Sequence, residues 1–340
     1  MKLPIETKNP MFGKYLYPFA NEIRKMQQDI TWTDEEIPVE KDVQDYRVNM
    51  PKSSLSLVTY TLLLFVEIEQ KVGEIWETIA KWFPHSEIEG ACTEIARMEK
   101  SVHAFFYQKM ADTLNISPED TAKDQATITV LKNKLTFLNS VMDNLSHDKP
   151  LALATVSMIE QVLLFSNFAM LKSFQANGHN LIANTIAGVN FVVADETIHG
   201  QYATLLHNTF IEESDATGIL FPIESHFTNV SKLVAEVVSH EDAVIDYLFR
   251  EDVEINDITA EQLKVFIRSR VNLVMGDLKL PTIYQEPEVN PIADWFYKDV
   301  NAITMHDFFS SLGSQYRRGW STEKFSRLPL LQKDVHAKDE

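Results

Sequence analysis

Apolar residues recur at three- and four-residue steps over most of this chain. From 53 to 83 the series runs through Leu57, Tyr60, Leu64, Ile68 and Val72, which predicts one long helix. The same reading predicts helices over 87–114, 123–145, 149–177, 179–212, 223–250 and 259–276, with Asn177-Gly178 separating the fourth from the fifth. Residues 1–30 read as an irregular arm leading into a short helix around Tyr17–Gln28. Trp32-Thr-Asp-Glu-Glu-Ile-Pro38 then reads as a turn and helix start, with Asp34 as cap. After Gly276, Pro281, Pro287 and Pro291 interrupt any helix, so 281–340 reads as an extended tail with a short helix near 294–300. The expectation is an all-α domain over 31–280, flanked by an arm at 1–30 and a tail at 281–340 that is either disordered or reaches a partner.

Composition narrows this. Ten glycines in 340 residues suit long helices better than a turn-rich β protein. A formal charge of -18 argues against nucleic acid as partner, because phosphate neutralisation needs a basic surface. The lone Cys92 excludes an internal disulfide framework and suits a reducing, cytoplasmic setting. No run approaches the roughly 20 apolar residues of a membrane span, and the start is not a signal peptide, so no membrane partner is expected.

The candidate chemistry lies in acids set within apolar helix faces. Glu196 and His199 share a face at i, i+3 and follow Phe191-Val-Val193. Glu160 stands alone in Val156-Ser-Met-Ile-Glu-Gln-Val-Leu-Leu-Phe165, and Glu69 in Leu62-Leu-Leu-Phe-Val-Glu-Ile-Glu69. A second carboxylate–histidine motif reads Met98-Glu-Lys-Ser-Val-His103, with Lys100 where an i, i+3 pair needs its acid. Taken singly, a buried Glu more often pairs with Lys or Arg, and Tyr107 is an ordinary core tyrosine. Together, four helices offering Glu69, the 99–103 segment, Glu160, and Glu196 with His199 make the ligand set of a dinuclear carboxylate centre in a helical bundle. Carboxylate and imidazole donors suit iron or manganese.

On these residues the chain resembles the small, radical-generating subunit of class I ribonucleotide reductase, closest to the class Ib type. The resemblance rests on Trp32-Thr-Asp-Glu-Glu-Ile-Pro38, Ser101-Val-His-Ala104 with Tyr107, Glu160-Gln-Val-Leu-Leu-Phe165 and Ala194-Asp-Glu-Thr-Ile-His-Gly200. Near the end it adds Val289-Asn-Pro291 and His306-Asp-Phe-Phe-Ser-Ser-Leu-Gly-Ser-Gln-Tyr316. It implies a ferritin-like bundle acting as a homodimer beside a large catalytic subunit, with a dinuclear Fe, Mn or Mn/Fe centre. A manganese-loaded protein of this type takes its oxidant from a flavodoxin-like activator.

Residue by residue, the resemblance places Glu69, His103, Glu160, Glu196 and His199 on metal-ligand positions and Tyr107 on the oxidised tyrosine. Trp32 and Asp195 fall on the link to the surface facing the large subunit, and Tyr316 falls on the mobile tail relay. Leu164, Phe168 and Val192 fall near the apolar pocket that shields the radical. Phe105 and Phe106 are read as flanking Tyr107 in that shield.

Three positions depart from the family pattern. At Lys100 two readings stand: Glu99 is turned inward by a π-bulge and serves as the sixth ligand, or the lysine ammonium occupies a metal-poor or metal-free site. The unchanged spacing from Glu69 to His103 and from His103 to Tyr107 favours substitution over insertion. Glu69 stands where an aspartate is commoner. The tail beyond Arg317 carries Phe325, Leu328, Leu330 and Leu331 as candidate docking anchors. The alternative function is a ferritin-like metal-binding or oxidase protein without a radical-transfer partner.

Overall fold

The computed structural model describes residues 2–8, 14–116, 125–144, 147–250, 254–285 and 287–297. Tyr316 and the anchors Phe325, Leu328, Leu330 and Leu331 lie outside them. Among the described residues ten α-helices follow one another: α1 (Pro18–Asp29), α2 (Lys52–Ile79), α3 (Ser86–Met98), α4 (Ala104–Leu114), α5 (Gln125–Asn144), α6 (Lys149–Met158), α7 (Phe165–Ser173), α8 (Ala183–Ala216), α9 (Ile223–Leu248) and α10 (Ala260–Asp277). Residues 291–297 add a short helical segment. The architecture is the all-α bundle expected from the periodicity.

Two predicted helices carry one wide turn each. Between α3 and α4, residues Glu99–His103 are π-helical, and between α6 and α7 the same holds for Ile159–Leu163. A π turn spends an extra residue without breaking the rod, so 86–114 and 149–173 still read as continuous helices. A feature absent from the periodicity is a two-residue hairpin, Glu254–Ile255 paired with Ile258–Thr259. Its turn residues Asn256 and Asp257 both have positive φ, as a tight hairpin turn requires. Thr259 then caps α10, exchanging hydrogen bonds with Gln262.

The core forms where α2 packs on α3 and α4, and α6 packs on α8. Ile68, Ile75, Ile95, Leu153, Phe168 and Ile198 are fully enclosed there. The α6–α7 rod, Lys149–Ser173, is apolar and long enough to cross a membrane, yet 94% of its apolar window is buried inside the bundle. It is a central helix, which must be apolar on every face. The start of α8 is held from outside. Asp42 accepts hydrogen bonds from the backbone of Asn184 and Thr185, and Asp45 accepts one from Ile182. These carboxylates satisfy first-turn N–H groups and oppose the helix dipole, fixing the rod that bears Glu196 and His199.

Two local expectations change. Thr33, rather than Asp34, begins the short turn after Trp32: its N–H donates to Glu36 Oε1 at 3.0 Å. The helix of the N-terminal arm is also part of the bundle, since α1 packs along α3 and buries Ile23, Gln27 and Ile30.

Candidate metal centre

Glu69 on α2, Glu99 and His103 on the first π turn, Glu160 on the second, and Glu196 with His199 on α8 converge in the middle of the bundle. All six are at most 2% exposed. Their donor atoms fall into two groups, Glu69, Glu99, His103 and Glu196 in one and Glu99, Glu160, Glu196 and His199 in the other, each within 4.8 Å. Glu99 and Glu196 belong to both. The structure thus brings together every ligand position that the sequence nominated.

The π turn decides the register. Glu99 to His103 is an i, i+4 pair, and the wider turn puts both on the inward face. His103 Nδ1 lies 3.4 Å from Glu69 Oε2, 3.4 Å from Glu99 Oε2 and 3.3 Å from Glu196 Oε1. His199 Nδ1 lies 2.6 Å from Glu99 Oε1. Lys100 points elsewhere. Its Nζ reaches Glu77 Oε1 at 2.7 Å on the partly exposed side of α2, its stem crossing at Gly73, where a Cβ would lie 2.3 Å from Lys100 Cγ. The reading in which Lys100 sits among the carboxylates does not hold: Lys100 pairs with Glu77, and the π turn brings Glu99 to face the site.

The outer faces of the imidazoles are tied down. His103 Nε2 lies 3.0 Å from Asp195 Oδ2, which also accepts the Trp32 indole N–H at 2.9 Å. His199 Nε2 lies 3.1 Å from Gln27 Oε1, and Gln27 Nε2 donates to Asp195 Oδ1 at 2.8 Å. Asp195 is therefore the hub of a buried network joining both histidines to Trp32. On the other side the Trp76 indole N–H donates to Glu160. Sequence reasoning missed Gln27 and Trp76. Gln27 falls in phase with Ile23 and Ile30 on the buried face of α1, and that was the available signal. A buried tryptophan needs an acceptor for its N–H, which is what Glu160 offers Trp76.

Tyr107 is fully buried, one turn beyond His103, and its hydroxyl makes no hydrogen bond. Its ring packs on Phe65 at 4.6 Å and Phe106 at 5.1 Å, and Phe65 packs on Phe168 at 4.9 Å. Leu164 and Val192 are buried as well. Phe105 is 59% exposed and does not shield the tyrosine. With His103 and Tyr107 facing inward at i, i+4, residue 105 necessarily faces outward.

The electrostatics of the cluster need a positive charge from somewhere. Burial, with the charges of Glu99 and Glu196, pushes Glu69 and Glu160 well above the usual carboxylate range. Burial opposes ionisation of Glu99 too, but His103 and His199 outweigh it and hold that carboxyl low. Burial and Glu99 press Glu196 upward, and contacts with Glu160, His103 and His199 prevail to keep it low. Both imidazoles would be lowered by burial. Glu99 above all raises His103 far up, and Glu196 and Glu99 lift His199 to about 9. Without metal ions the cluster thus favours protons on Glu69, Glu160 and the two histidines and charge on Glu99 and Glu196.

The bonding pattern fits metal ions better than protons. Both oxygens of Glu69 and Glu99, Glu196 Oε1, and Nδ1 of both histidines make no hydrogen bond despite full burial. Their lone pairs converge instead of pairing with N–H groups. Orphaned buried acceptors of this kind are costly, and divalent ions would satisfy them all at once. Outer-face partners on both histidines are also what metal-bound imidazoles have.

A family profile described as "Ribonucleotide reductase, small chain" matches residues 12–291. The chain belongs to this family. Among curated relatives it is 27% identical to the ribonucleoside-diphosphate reductase subunit beta of Bacillus subtilis over 259 residues, covering 72% of this chain and 71% of that one. It is 23% identical to the subunit of the same name from Treponema pallidum over 325 residues, covering 90% and 87%. Two solved structures share the fold. The dimanganese(II)-NrdF of Streptococcus sanguinis has a TM-score of 0.67 at 19% identity, covering 85% of this chain and 98% of that one. The Rnr4 homodimer of Saccharomyces cerevisiae ribonucleotide reductase has 0.69 at 16%, covering 88% and 92%.

Proposed function

We propose that this protein is a ribonucleoside-diphosphate reductase small subunit that stores an oxidising equivalent on Tyr107 for a large catalytic subunit. The observation that carries the reading is the pair of ligand groups sharing Glu99 and Glu196, set beside a buried tyrosine whose hydroxyl has no partner. Glu69 and His103 would hold one ion, Glu160 and His199 the other, with Glu99 and Glu196 between them. The centre is read as dinuclear iron, manganese or mixed Mn/Fe. When bound, such a pair supplies, with an oxygen-derived co-substrate, the one-electron oxidant that no amino acid provides.

The remaining steps belong to the chain's own residues. Tyr107 would give up an electron and its phenolic proton; burial, and then the charge of Glu69, bear most strongly on that hydroxyl. Phe65, Phe106 and Phe168 keep water and reductants from the ring. Asp195 accepts from Trp32 Nε1 and contacts His103 Nε2, which makes Trp32 the way out of the centre. His103 and Trp32 are stacked at 6.0 Å and 23°. Tyr316 would carry the equivalent onward, with the tail docking on the large subunit; the tail read from 281 would start only beyond 297, because Ile292 and Phe296 are buried against the bundle.

The class Ib assignment is part of this proposal, as are a homodimeric state, a cytoplasmic location and a flavodoxin-like activator for a manganese form. A metal-storage or oxidase protein without a radical partner has no use for the Trp32–Asp195–His103 chain. The test is deoxyribonucleotide formation by the metal-loaded full chain with a class Ib large subunit. Activity in the wild type and none in Tyr107→Phe is expected; equal activity in the two would refute the radical role.

A further inference from the structure

The π turn that carries Glu160 is held in place by side chains from three other helices. Its wide hydrogen bonding leaves backbone groups of 159–166 without their regular helical partners. Arg270 Nε on α10 donates to Gln161 O at 2.8 Å, and Lys134 Nζ on α5 donates to Leu163 O at 2.7 Å. Lys134 also pairs with Glu241 on α9 at 2.5 Å, and Glu241 Oε2 accepts the Ser166 N–H at 3.0 Å. The Gln161 side chain lies directly on α8 at Gly200, where a Cβ would come within 2.3 Å of it, next to His199. Movement of this turn therefore moves Glu160 and presses on the neighbour of His199.

Arg270 differs from the other two holders. It is 3% exposed, stacks on Phe165 with Cζ 3.7 Å from the ring centroid, and makes no ion pair among the described residues. Its Nη2 has no acceptor, while Nη1 donates to the Tyr297 hydroxyl at 2.9 Å. Burying a guanidinium this way is unfavourable relative to an apolar side chain of similar volume. Packing alone does not account for it; its two directed bonds do. One goes to the ligand turn, and the other to the last described residue before the tail. That short segment is also gripped by Lys172, whose Nζ donates to Phe296 O at 2.7 Å.

We propose that Arg270 is a positioning residue for the Glu160 ligand turn, and that Tyr297 fixes its fork, linking the root of the C-terminal tail to the second metal position. The inference rests on the metal-centre reading above. Arg270 touches neither ligand atoms nor substrate. It acts through the carbonyl of Gln161, one residue from Glu160, and its planar fork reaches turn and tail root together, which a lysine cannot do.

The test uses the full chain, anaerobic Mn(II) titration followed by electron paramagnetic resonance, and thermal unfolding of the metal-free protein. Glu160→Gln and Glu69→Gln assign the two binding steps. Arg270→Lys is expected to weaken the Glu160–His199 step about tenfold, as loss of an outer-shell partner does. Tyr297→Phe, which removes one hydroxyl and keeps the ring, is expected to weaken the same step about fivefold, the worth of one hydrogen bond. Both should leave the Glu69–His103 step unchanged. Equal weakening of both steps together with a lowered Tm would mark a packing role and overturn the inference, as would no change in either step. If Arg270→Lys does not fold, Tyr297→Phe decides. A wild-type chain that takes up no Mn(II) overturns the reading of the centre itself, and this inference with it.

Discussion

Lys100 Nζ lies 2.7 Å from Glu77 Oε1, on the side of the helix away from the cluster that its neighbour Glu99 enters. Side chains of both partners are substantially exposed, at 32% and 49%, so solvent screens the pair and its net worth is below about 1 kcal/mol. Lys100→Ala should therefore keep both metal ions and change Tm by only a degree or two, by the usual scaling of small stability changes. Glu99→Ala should lose metal at both positions, because its carboxylate belongs to both groups. Elemental analysis of the two variants checks this, and metal loss in Lys100→Ala would return the lysine to the site.

Proton binding by the cluster sets a pH dependence with a definite sign. Glu69, Glu160, His103 and His199 all bind protons more tightly in the fold than in the unfolded chain. Each stabilises the metal-free protein fully below its unfolded value and loses that contribution as pH rises through its folded value. For His199 the window runs from 6.5 to about 9. Metal ions require the deprotonated ligands, so their stabilisation grows over the same range. The Tm gap between Mn(II)-loaded and metal-free protein should widen between these limits. A gap independent of pH would contradict the assignment of these groups as ligands.

Tyr107→Phe removes a buried hydroxyl that has no hydrogen-bond partner. Deleting an unsatisfied polar group is neutral or stabilising by about 1 kcal/mol. Metal-free Tm should hold or rise slightly, separating a chemical role for the hydroxyl from a structural one. A clear fall in Tm would show a partner for the phenol.

Asp195→Asn should disconnect Trp32 while leaving the ions in place. The carboxylate accepts from Trp32 and Gln27 and contacts His103. An amide offers one acceptor oxygen and turns a donor toward groups that also donate. The expectation is retained metal, a Tyr107 radical that still forms, and turnover with the large subunit reduced by at least about tenfold, consistent with loss of an outer-shell partner. Full turnover in this variant would remove Trp32 and Asp195 from the relay.

How far the sequence carries depends on the kind of structure. Glu69, Glu160, Glu196 and His199 were legible because an acid inside a long apolar period stands out, and regular helices convert spacing into facing. Glu99 was not. Its direction depends on one extra residue in a π turn, and π turns leave no propensity signature in Glu99-Lys-Ser-Val-His103. Phe105 and Phe106 look equivalent in sequence, and only the face set by His103 and Tyr107 separates them. Gln27 lay in a segment read as an arm, its role being visible only once α1 packs on the bundle. The hairpin at 254–259 is too short to show alternation. Arg270 carries no mark in the sequence, because burial of a cation is decided by its partners, not by its neighbours in the chain.

The central claim is that six buried ligands hold two metal ions whose oxidising power is stored on Tyr107. It is tested most directly by electron paramagnetic resonance on the full chain, loaded anaerobically with iron and then exposed to oxygen, with metal content measured on the same sample. The account predicts two ions per chain and a tyrosyl signal that disappears in Tyr107→Phe while the ions remain. Two bound ions with no signal in the wild type, or the same signal in Tyr107→Phe, would contradict it.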